Sequence, residues 1–354
     1  MVSSTDRELS RPRSAAQAIG SLWGQLPAVF QMASGYWVSQ VVYVAAKLGI
    51  ADLLADAPKS CEEIAHETGA ERRALFRLMR SLVSLGILAK DSDQRFSLTE
   101  IGAPLQSRMP GSMRSMVLTL GEEHYQAWGR LLHSVQSGTP AFQAVYNSPM
   151  FEYFERHSAA GDVFNAAMTD FTSQAALAAI VAYDFSGIRS AADIGGGHGA
   201  FIRRLLKSNP RMRGILFDSP SVIESAKPLI GAAGLESRCR IIAGDFFESV
   251  PRGTDTYILK NVLHDWDDDS AVSILKNCRR AMGDSGKLLV MESVLPASNE
   301  VSFASLLDLN MLVMSGGQER TEAEFGRLFS ASGFCLIRVV PTLAPVSILE
   351  GVPA

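Results

Sequence analysis

Ala191-Ala192-Asp193-Ile194-Gly195-Gly196-Gly197-His198-Gly199, running on into Phe201-Ile202-Arg203-Arg204-Leu205-Leu206, decides how this 354-residue chain is read. A short apolar run ends in an acid. Three glycines, a histidine and a fourth glycine follow, and apolar residues then recur at helical spacing. Strand, glycine turn and helix in that order open a doubly wound sheet, where missing side chains let a ligand lie against backbone. Alone the stretch is ambiguous, because Gly195-x-Gly197-x-x-Ala200 also satisfies a dinucleotide-binding pattern.

Three later runs narrow the reading. Gly214-Ile215-Leu216-Phe217 ends in Asp218, placed to accept hydrogen bonds from ribose hydroxyls. Arg240-Ile241-Ile242-Ala243-Gly244 ends in Asp245-Phe246, an acid for an adenine amino group beside an aromatic face for its ring. Thr256-Tyr257-Ile258-Leu259-Lys260 leads to Val262-Leu263-His264-Asp265-Trp266. Four strands thus deliver polar groups at their carboxyl ends, the edge where open α/β sheets bind ligands. A dinucleotide gives Asp218 a role but leaves Asp193 and Asp245 idle. S-adenosylmethionine suits all three acids better.

The length suits two domains rather than one, and 47% hydrophobic residues suffice for a large core. A net charge of −4 argues against a polyanion-binding protein. Cys61, Cys239, Cys278 and Cys335 have neither metal-ligand nor disulfide-framework spacing, and read as reduced thiols of a cytoplasmic protein. No apolar run approaches the roughly 20 residues needed to span a bilayer, so no membrane contact is expected.

Residues 1–14 read as a disordered tail. Ile19, Leu22, Trp23, Leu26, Val29 and Phe30, then Tyr36, Trp37, Val41, Val44 and Leu48, recur at helical spacing up to Gly49. So much aromatic surface suggests burial against a partner chain as well as the home domain. Ser60-Cys61-Glu62-Glu63 opens a helix as a capping box, a turn at Gly69 leads to a second helix from Glu71 to Leu85, and residues 86–89 and 95–98 read as a hairpin. Helix-turn-helix plus hairpin is a winged-helix pattern, which raises a DNA-binding regulator as an alternative. From Lys59 to Glu100, however, seven cations (Lys59, Arg72, Arg73, Arg77, Arg80, Lys90, Arg95) face seven acids (Glu62, Glu63, Glu67, Glu71, Asp91, Asp93, Glu100). That balance lacks the basic footprint of nucleic-acid binding. The expected division is residues 15–110 for the helical and winged-helix domain, 111–187 for a helical connecting region with breaks at Gly138-Thr139-Pro140 and Asn147-Ser148-Pro149, and 188–354 for an α/β domain of about seven strands.

The segments Asp193–Gly199, Phe217-Asp218-Ser219-Pro220, Gly244–Phe247, Leu259–Trp266, Met291-Glu292-Ser293 and Gly316–Thr321, in that order and spacing, resemble the S-adenosylmethionine-dependent small-molecule O-methyltransferases. These include plant caffeate-type enzymes, animal hydroxyindole O-methyltransferase and bacterial enzymes acting on phenolic antibiotics and phenazines. The winged-helix unit and Phe164-Asn165-x-x-Met168 extend the likeness over nearly the whole chain. His198 departs from it, standing where plant enzymes usually carry Thr. The resemblance implies a class I methyltransferase fold (Rossmann-like) behind an N-terminal winged-helix dimerisation domain, hence a homodimer. It implies that Gly195 and Gly197 approach the amino acid end of S-adenosylmethionine, that Asp218 holds the ribose, that Asp245 and Phe246 hold adenine, and that Lys260 lies alongside. It makes His264 the general base, followed by Asp265 and flanked by Glu292 and Glu319.

The chemistry agrees with that assignment. Methyl transfer from sulfonium to oxygen is an in-line displacement in which alignment does much of the work. A phenol, with a pKa of about 10, is a poor nucleophile until deprotonated, and a positioned base typically contributes about 10²–10⁴-fold. Nearby carboxylates favour the charged imidazole and orient it. No metal is expected, and Asp267-Asp268-Asp269 reads as a helix N-terminal acid cluster. Trp266 reads as core or as a wall of the cofactor site. Phe164, Met168, Met311 and Met314 read as core or as an adaptable slot for a flat acceptor, with Asn310 as its one amide. His66, His124, His133, His157 and His198 default to surface or core roles. The expected reaction is methylation of a small aromatic hydroxyl, leaving S-adenosylhomocysteine; a relative that binds the same cofactor for a non-methylating reaction stays as the enzymatic alternative.

Overall fold

The computed structural model describes Gly24, residues 26–298 and residues 300–354. The tail expected over residues 1–14, and the helix positions Ile19, Leu22 and Trp23, lie outside the described residues. The chain divides into two compact units, one up to Gly121 and one from Glu122 onward.

In the first unit, α1 (Ala28–Ala33), α2 (Gly35–Lys47) and α3 (Ile50–Leu53) come first. Gly49, at φ 68°, supplies the left-handed turn between α2 and α3. Val29, Met32, Tyr36 and Trp37 are each at least half exposed, more apolar surface than a lone chain usually leaves to water. α4 (Cys61–Thr68) begins with the capping box: the Glu63 N–H donates to Ser60 Oγ at 3.2 Å and the Ser60 N–H to the Glu63 carboxylate at 2.6 Å. Gly69 ends it in the left-handed region, and α5 (Arg72–Ser84) follows, its face Leu75, Met79 and Leu82 buried. β1 (Leu88–Lys90) and β2 (Phe96–Leu98) pair antiparallel, and α6 (Arg114–Gly121) closes the unit.

The second unit opens with α7 (Glu123–Trp128), α8 (Leu131–Ser137), α9 (Ala141–Tyr146), α10 (Met150–Arg156) and the 25-residue α11 (Ser158–Ala182). Pro140 and Pro149 stand at the N-caps of α9 and α10, where a residue without an N–H costs no helical hydrogen bond. Strands and helices then alternate: β3 (Ser190–Ile194), α12 (Ala200–Ser208), β4 (Arg213–Asp218), α13 (Pro220–Ala232), β5 (Cys239–Ala243), β6 (Thr256–Lys260), α14 (Asp268–Ala281) and β7 (Lys287–Glu292). A short β8 (Val294–Leu295), α15 (Phe303–Met314), a short β9 (Arg320–Thr321), α16 (Glu322–Ala331), β10 (Phe334–Pro341) and β11 (Ser347–Pro353) complete it.

The main sheet has seven strands in the order β10-β11-β7-β6-β3-β4-β5, with β11 antiparallel to both neighbours and β3 to β7 mutually parallel. Every residue of β6 is buried, as a strand covered on both faces requires. Alternate residues feed two cores: Ile194, Phe217 and Leu259 on one side, Leu216, Ile258 and Leu289 on the other. From the adjacent β3 and β6 the chain winds in opposite directions, which opens a crevice at their carboxyl ends. Asp267 caps α14 by accepting the Ser270 N–H at 2.8 Å, with Asp268 and Asp269 in the first turn, so this acid run serves a helix start. Cys61, Cys239 and Cys278 are buried thiols and Cys335 is exposed. Among the described residues no helix is long and apolar enough to cross a membrane.

Candidate active site

The loop leaving β3 is a series of left-handed turns, with φ of 67° at Gly195, 58° at Gly197 and 72° at Gly199. A Cβ on Gly195 would stand 2.8 Å from Val262 and 3.7 Å from Phe246, and one on Gly196 would stand 2.7 Å from the Asp193 carboxylate. The backbone thus occupies space no side chain could share. Asp218, at the end of β4, ties the loop down: Oδ2 accepts the Gly197 N–H at 2.7 Å and Oδ1 the Ser219 N–H at 2.7 Å. Roughly half of its acceptor capacity remains for hydroxyl donors. Burial raises its pKa, and these two N–H groups oppose the rise. Asp245 is exposed and accepts the Phe247 N–H at 2.8 Å. Phe246 meets Trp266 edge-on at 6.0 Å, and Trp266 also meets Phe247 edge-on at 4.8 Å and stacks with Phe151 at 6.4 Å.

Beneath the loop Asp193 is buried, with no hydrogen-bond partner for either oxygen among the described residues and only a loose approach of the Ile202 N–H. Burial pushes it up to about 7 while Lys260 opposes. Lys260, at the end of β6, donates to Asn261 Oδ1 at 2.6 Å and Thr172 Oγ1 at 3.1 Å; burial brings it down to about 8 against Glu292 and Asp193. His198 reaches Thr169 Oγ1 at 3.3 Å through Nδ1. An orphaned acid, a half-used acid and a Phe beside a loop that excludes side chains fit a ligand with an amino acid end, a ribose and a base.

At the neighbouring strand ends three segments converge on His264. It sits in a single tight helical turn, Leu263–Asp265, directly after β6. Its Nδ1 lies 2.8 Å from Glu319 Oε1 and 3.5 Å from Glu292 Oε2, while Nε2 lies 3.8 Å from Asp265. Both glutamate side chains are fully buried. Glu292, the last residue of β7, also accepts the Val262 and Leu263 N–H groups at 2.9 and 2.8 Å, which fixes the turn carrying His264. Burial opposes charge on the imidazole, but Glu292, Asp265 and Glu319 outweigh it and push the ring up to about 10. Burial raises Asp265 and Glu319 in turn, with His264 opposing in both. The donor atoms of His264, Glu292 and Glu319 all lie within 4.8 Å of one another, a spacing a cation could also use.

Arg320 and Gly317, inside the quoted segment Gly316–Thr321, carry structural duties that the sequence did not reveal. Arg320 is buried and donates to the Leu263 carbonyl at 2.9 Å and the Trp266 carbonyl at 2.7 Å, bracketing the His264 turn, with Asp268 at 2.9 Å as counter-ion. A Cβ on Gly317 would collide with the His264 carbonyl, which instead accepts the Gln318 N–H at 2.8 Å. A buried arginine that brackets a turn through two of its carbonyls is recognisable only once that turn exists.

Of the residues read as a possible slot, Phe164 and Met168 lie one turn apart on α11, and Asn310, Met311 and Met314 on α15. Phe164 stacks on Phe154 at 4.4 Å and 10°. Met314 is buried in a cluster with Ala127, Phe142 and Phe154, against which Phe164 packs; Met311 is buried and Met168 half-buried. Asn310 Oδ1 accepts the Trp128 indole N–H at 2.9 Å, which leaves its NH₂ as the free end.

Comparison with known proteins gives the family. A family model for an O-methyltransferase domain covers residues 128–335, and one for an O-methyltransferase dimerisation domain covers residues 30–107. The chain is 48% identical to a phenazine O-methyltransferase of Lysobacter antibioticus over 92% of its own length and 95% of that protein's. It is 37% identical to an 8-amino-8-demethylriboflavin N,N-dimethyltransferase of Streptomyces davaonensis, over 86% and 88% of the two chains. Human N-acetylserotonin methyltransferase in complex with S-adenosylmethionine superposes with a TM-score of 0.87 at 28% identity, over 94% of this chain and 99% of that one. The chain therefore belongs to the S-adenosylmethionine-dependent O-methyltransferases, as a seven-stranded catalytic domain behind an O-methyltransferase dimerisation domain.

Proposed function

We propose that this enzyme methylates a phenol-like hydroxyl of a small, planar aromatic metabolite, with His264 as the general base. One observation carries the reading: an imidazole at the carboxyl end of β6, held through Nδ1 by a buried carboxylate at 2.8 Å, which leaves Nε2 as the nitrogen to receive a proton. S-adenosylmethionine supplies the electrophilic methyl. Asp218 holds ribose hydroxyls, Asp245 and Phe246 hold adenine, Gly195 and Gly197 admit the amino acid end, and Lys260 with Asp193 sets the charge around it. Trp266 closes the aromatic wall beside Phe246. His264 works in its neutral form, and an imidazole of pKa about 10 matches a phenol of about 10, so the proton passes between near equals. The ring also meets a like charge when a sulfonium is bound, which shifts it toward the neutral form. Glu319 and Glu292 orient the ring and stabilise the imidazolium that results.

Phe164, Met168, Met311 and Met314 supply polarizable walls for the acceptor, and Asn310 turns its NH₂ toward it. Homodimerisation through residues 15–50 accounts for the exposed Tyr36 and Trp37; a full-length monomer in solution scattering would count against it. A second reading, transfer to nitrogen, is favoured by the likeness to an N,N-dimethyltransferase. Incubation with labelled cofactor and paired hydroxy- and amino-aromatics, with the methyl located by NMR, separates the two. Faster methylation of amines, sugars or aliphatic alcohols than of any phenol overturns the proposal.

A further inference from the structure

A second buried histidine stands in the helices ahead of the sheet, and the base chemistry makes no use of it. His124 on α7 is 7% exposed, and its Nδ1 has no hydrogen-bond partner among the described residues. Burial brings the imidazole down to about 4, so the ring is neutral at physiological pH and offers one N–H and one lone pair. Buried polar atoms are nearly always paired, and an exception calls for a partner that arrives later or for a function.

The surroundings of His124 point to such a partner. Trp128 lies one turn further along the same face of α7, and its indole N–H reaches Asn310 on α15 at 2.9 Å. Asn310 lies one turn before Met314, which packs with Phe142 and Phe154 and against Phe164. Ala127, also on α7, is fully buried in that cluster. The face of α7 carrying His124 is therefore turned toward α15, with Asn310 and Met314, and toward the cluster against which Phe164 packs.

We propose that His124 determines acceptor specificity, by hydrogen bonding to a second, uncharged polar group of the aromatic acceptor (a hydroxyl, ring nitrogen or ring-bound oxygen) remote from the methylated position. This rests on the aromatic acceptor reading and deepens it. The second group is uncharged because a neutral ring in a dry setting gives a carboxylate no counter-charge to offset its burial. Together, the Asn310 NH₂ and the His124 ring give the slot two polar fixtures among apolar walls, the pattern that fixes orientation in small-molecule sites.

Binding, not turnover, tests this, so a failure of phenol methylation remains a separate result. Dissociation constants of the full-length protein with S-adenosylhomocysteine are measured for 1-naphthol and for naphthalene-1,5-diol, which differ by the remote hydroxyl. The wild type is expected to bind the diol roughly tenfold tighter, the equivalent of one good buried hydrogen bond. His124→Phe should erase about that factor for the diol while leaving 1-naphthol within about threefold, and His124→Asn should restore most of it. Equal weakening of both probes marks a packing role and overturns the proposal, as does a wild type that binds neither probe or both alike. A readout that needs no variant is the imidazole ¹⁵N resonance of His124, which should move on adding the diol but not 1-naphthol; no movement with the diol overturns the proposal.

Discussion

At the donor end of the sheet edge Asp218 and Asp245 accept backbone amides: those of Gly197 and Ser219 for the one, that of Phe247 two residues on for the other. At the base end the partners come from afar. Glu319 meets His264 across 55 residues of chain, and Glu292 meets the amides of Val262 and Leu263 across 30 and 29. Asp218 and Asp245 keep acceptor capacity free for a ligand, whereas each base-end glutamate commits one oxygen to a distant part of the protein, Glu319 Oε1 to His264 and Glu292 Oε1 to the Val262 and Leu263 amides. Under the proposed function the contrast separates two tasks. Binding needs groups left partly unsatisfied; proton transfer needs a group whose orientation nothing else can alter.

The two ends should therefore fail differently. His264→Ala should lower turnover by about 10²–10⁴-fold with cofactor affinity unchanged in calorimetry, because the lost group acts on the acceptor proton; retained turnover would remove the distinction. Asp218→Ala should do the reverse, weakening the cofactor by about 1–3 kcal/mol through a lost charge-assisted acceptor, with turnover largely recovered at saturation. Unchanged affinity would break the donor assignment.

Arg320→Met tests whether the base end is rigid by design. It strands the Leu263 and Trp266 carbonyls in the interior, at about 1–3 kcal/mol, so thermal unfolding should drop and turnover with it while cofactor affinity holds. Glu319→Gln sharpens the electrostatics. With His264 up at about 10, turnover of an ordinary phenol should climb with pH between roughly 7 and 9, as the neutral imidazole becomes more abundant. Removing one of the carboxylates that raises this pKa lowers it, so the rising limb should move to lower pH even as poorer orientation cuts the maximum. A limb that moves to higher pH contradicts the geometry. The smallest expected effect is none at all: dialysis against a chelator should leave turnover intact, and its restoration by magnesium would show that the cluster serves a cation.

Much of this was legible in the chain because strands announce their own ends. The apolar runs before Asp193, Asp218, Asp245 and Lys260 marked β3 to β6 to within a residue or two, and the capping box at Ser60 and the breaks at Pro140 and Pro149 marked helix starts. Glu292 and Glu319 were reached only through resemblance, since nothing local to either residue shows that it will face an imidazole. Arg320 was missed for a related reason. It is defined by carbonyls of a distant turn, which a linear pattern does not record.

The strand order also bears on when the catalytic end comes into being during synthesis. β11, the final strand of the sheet in chain order, lies between β10 and β7, pairing Ser347 with Glu292 and Gly351 with Leu288. Until those residues leave the ribosome, β7 has one open edge, a surface prone to mispairing with other chains. The donor end, built on β3 to β5, can be assembled while the chain is still growing. This strand order predicts a cofactor site that folds early and a proposed proton-transfer site that is completed only once β11 pairs with β7, and loss of residues 347–354 should cost solubility before it costs cofactor recognition.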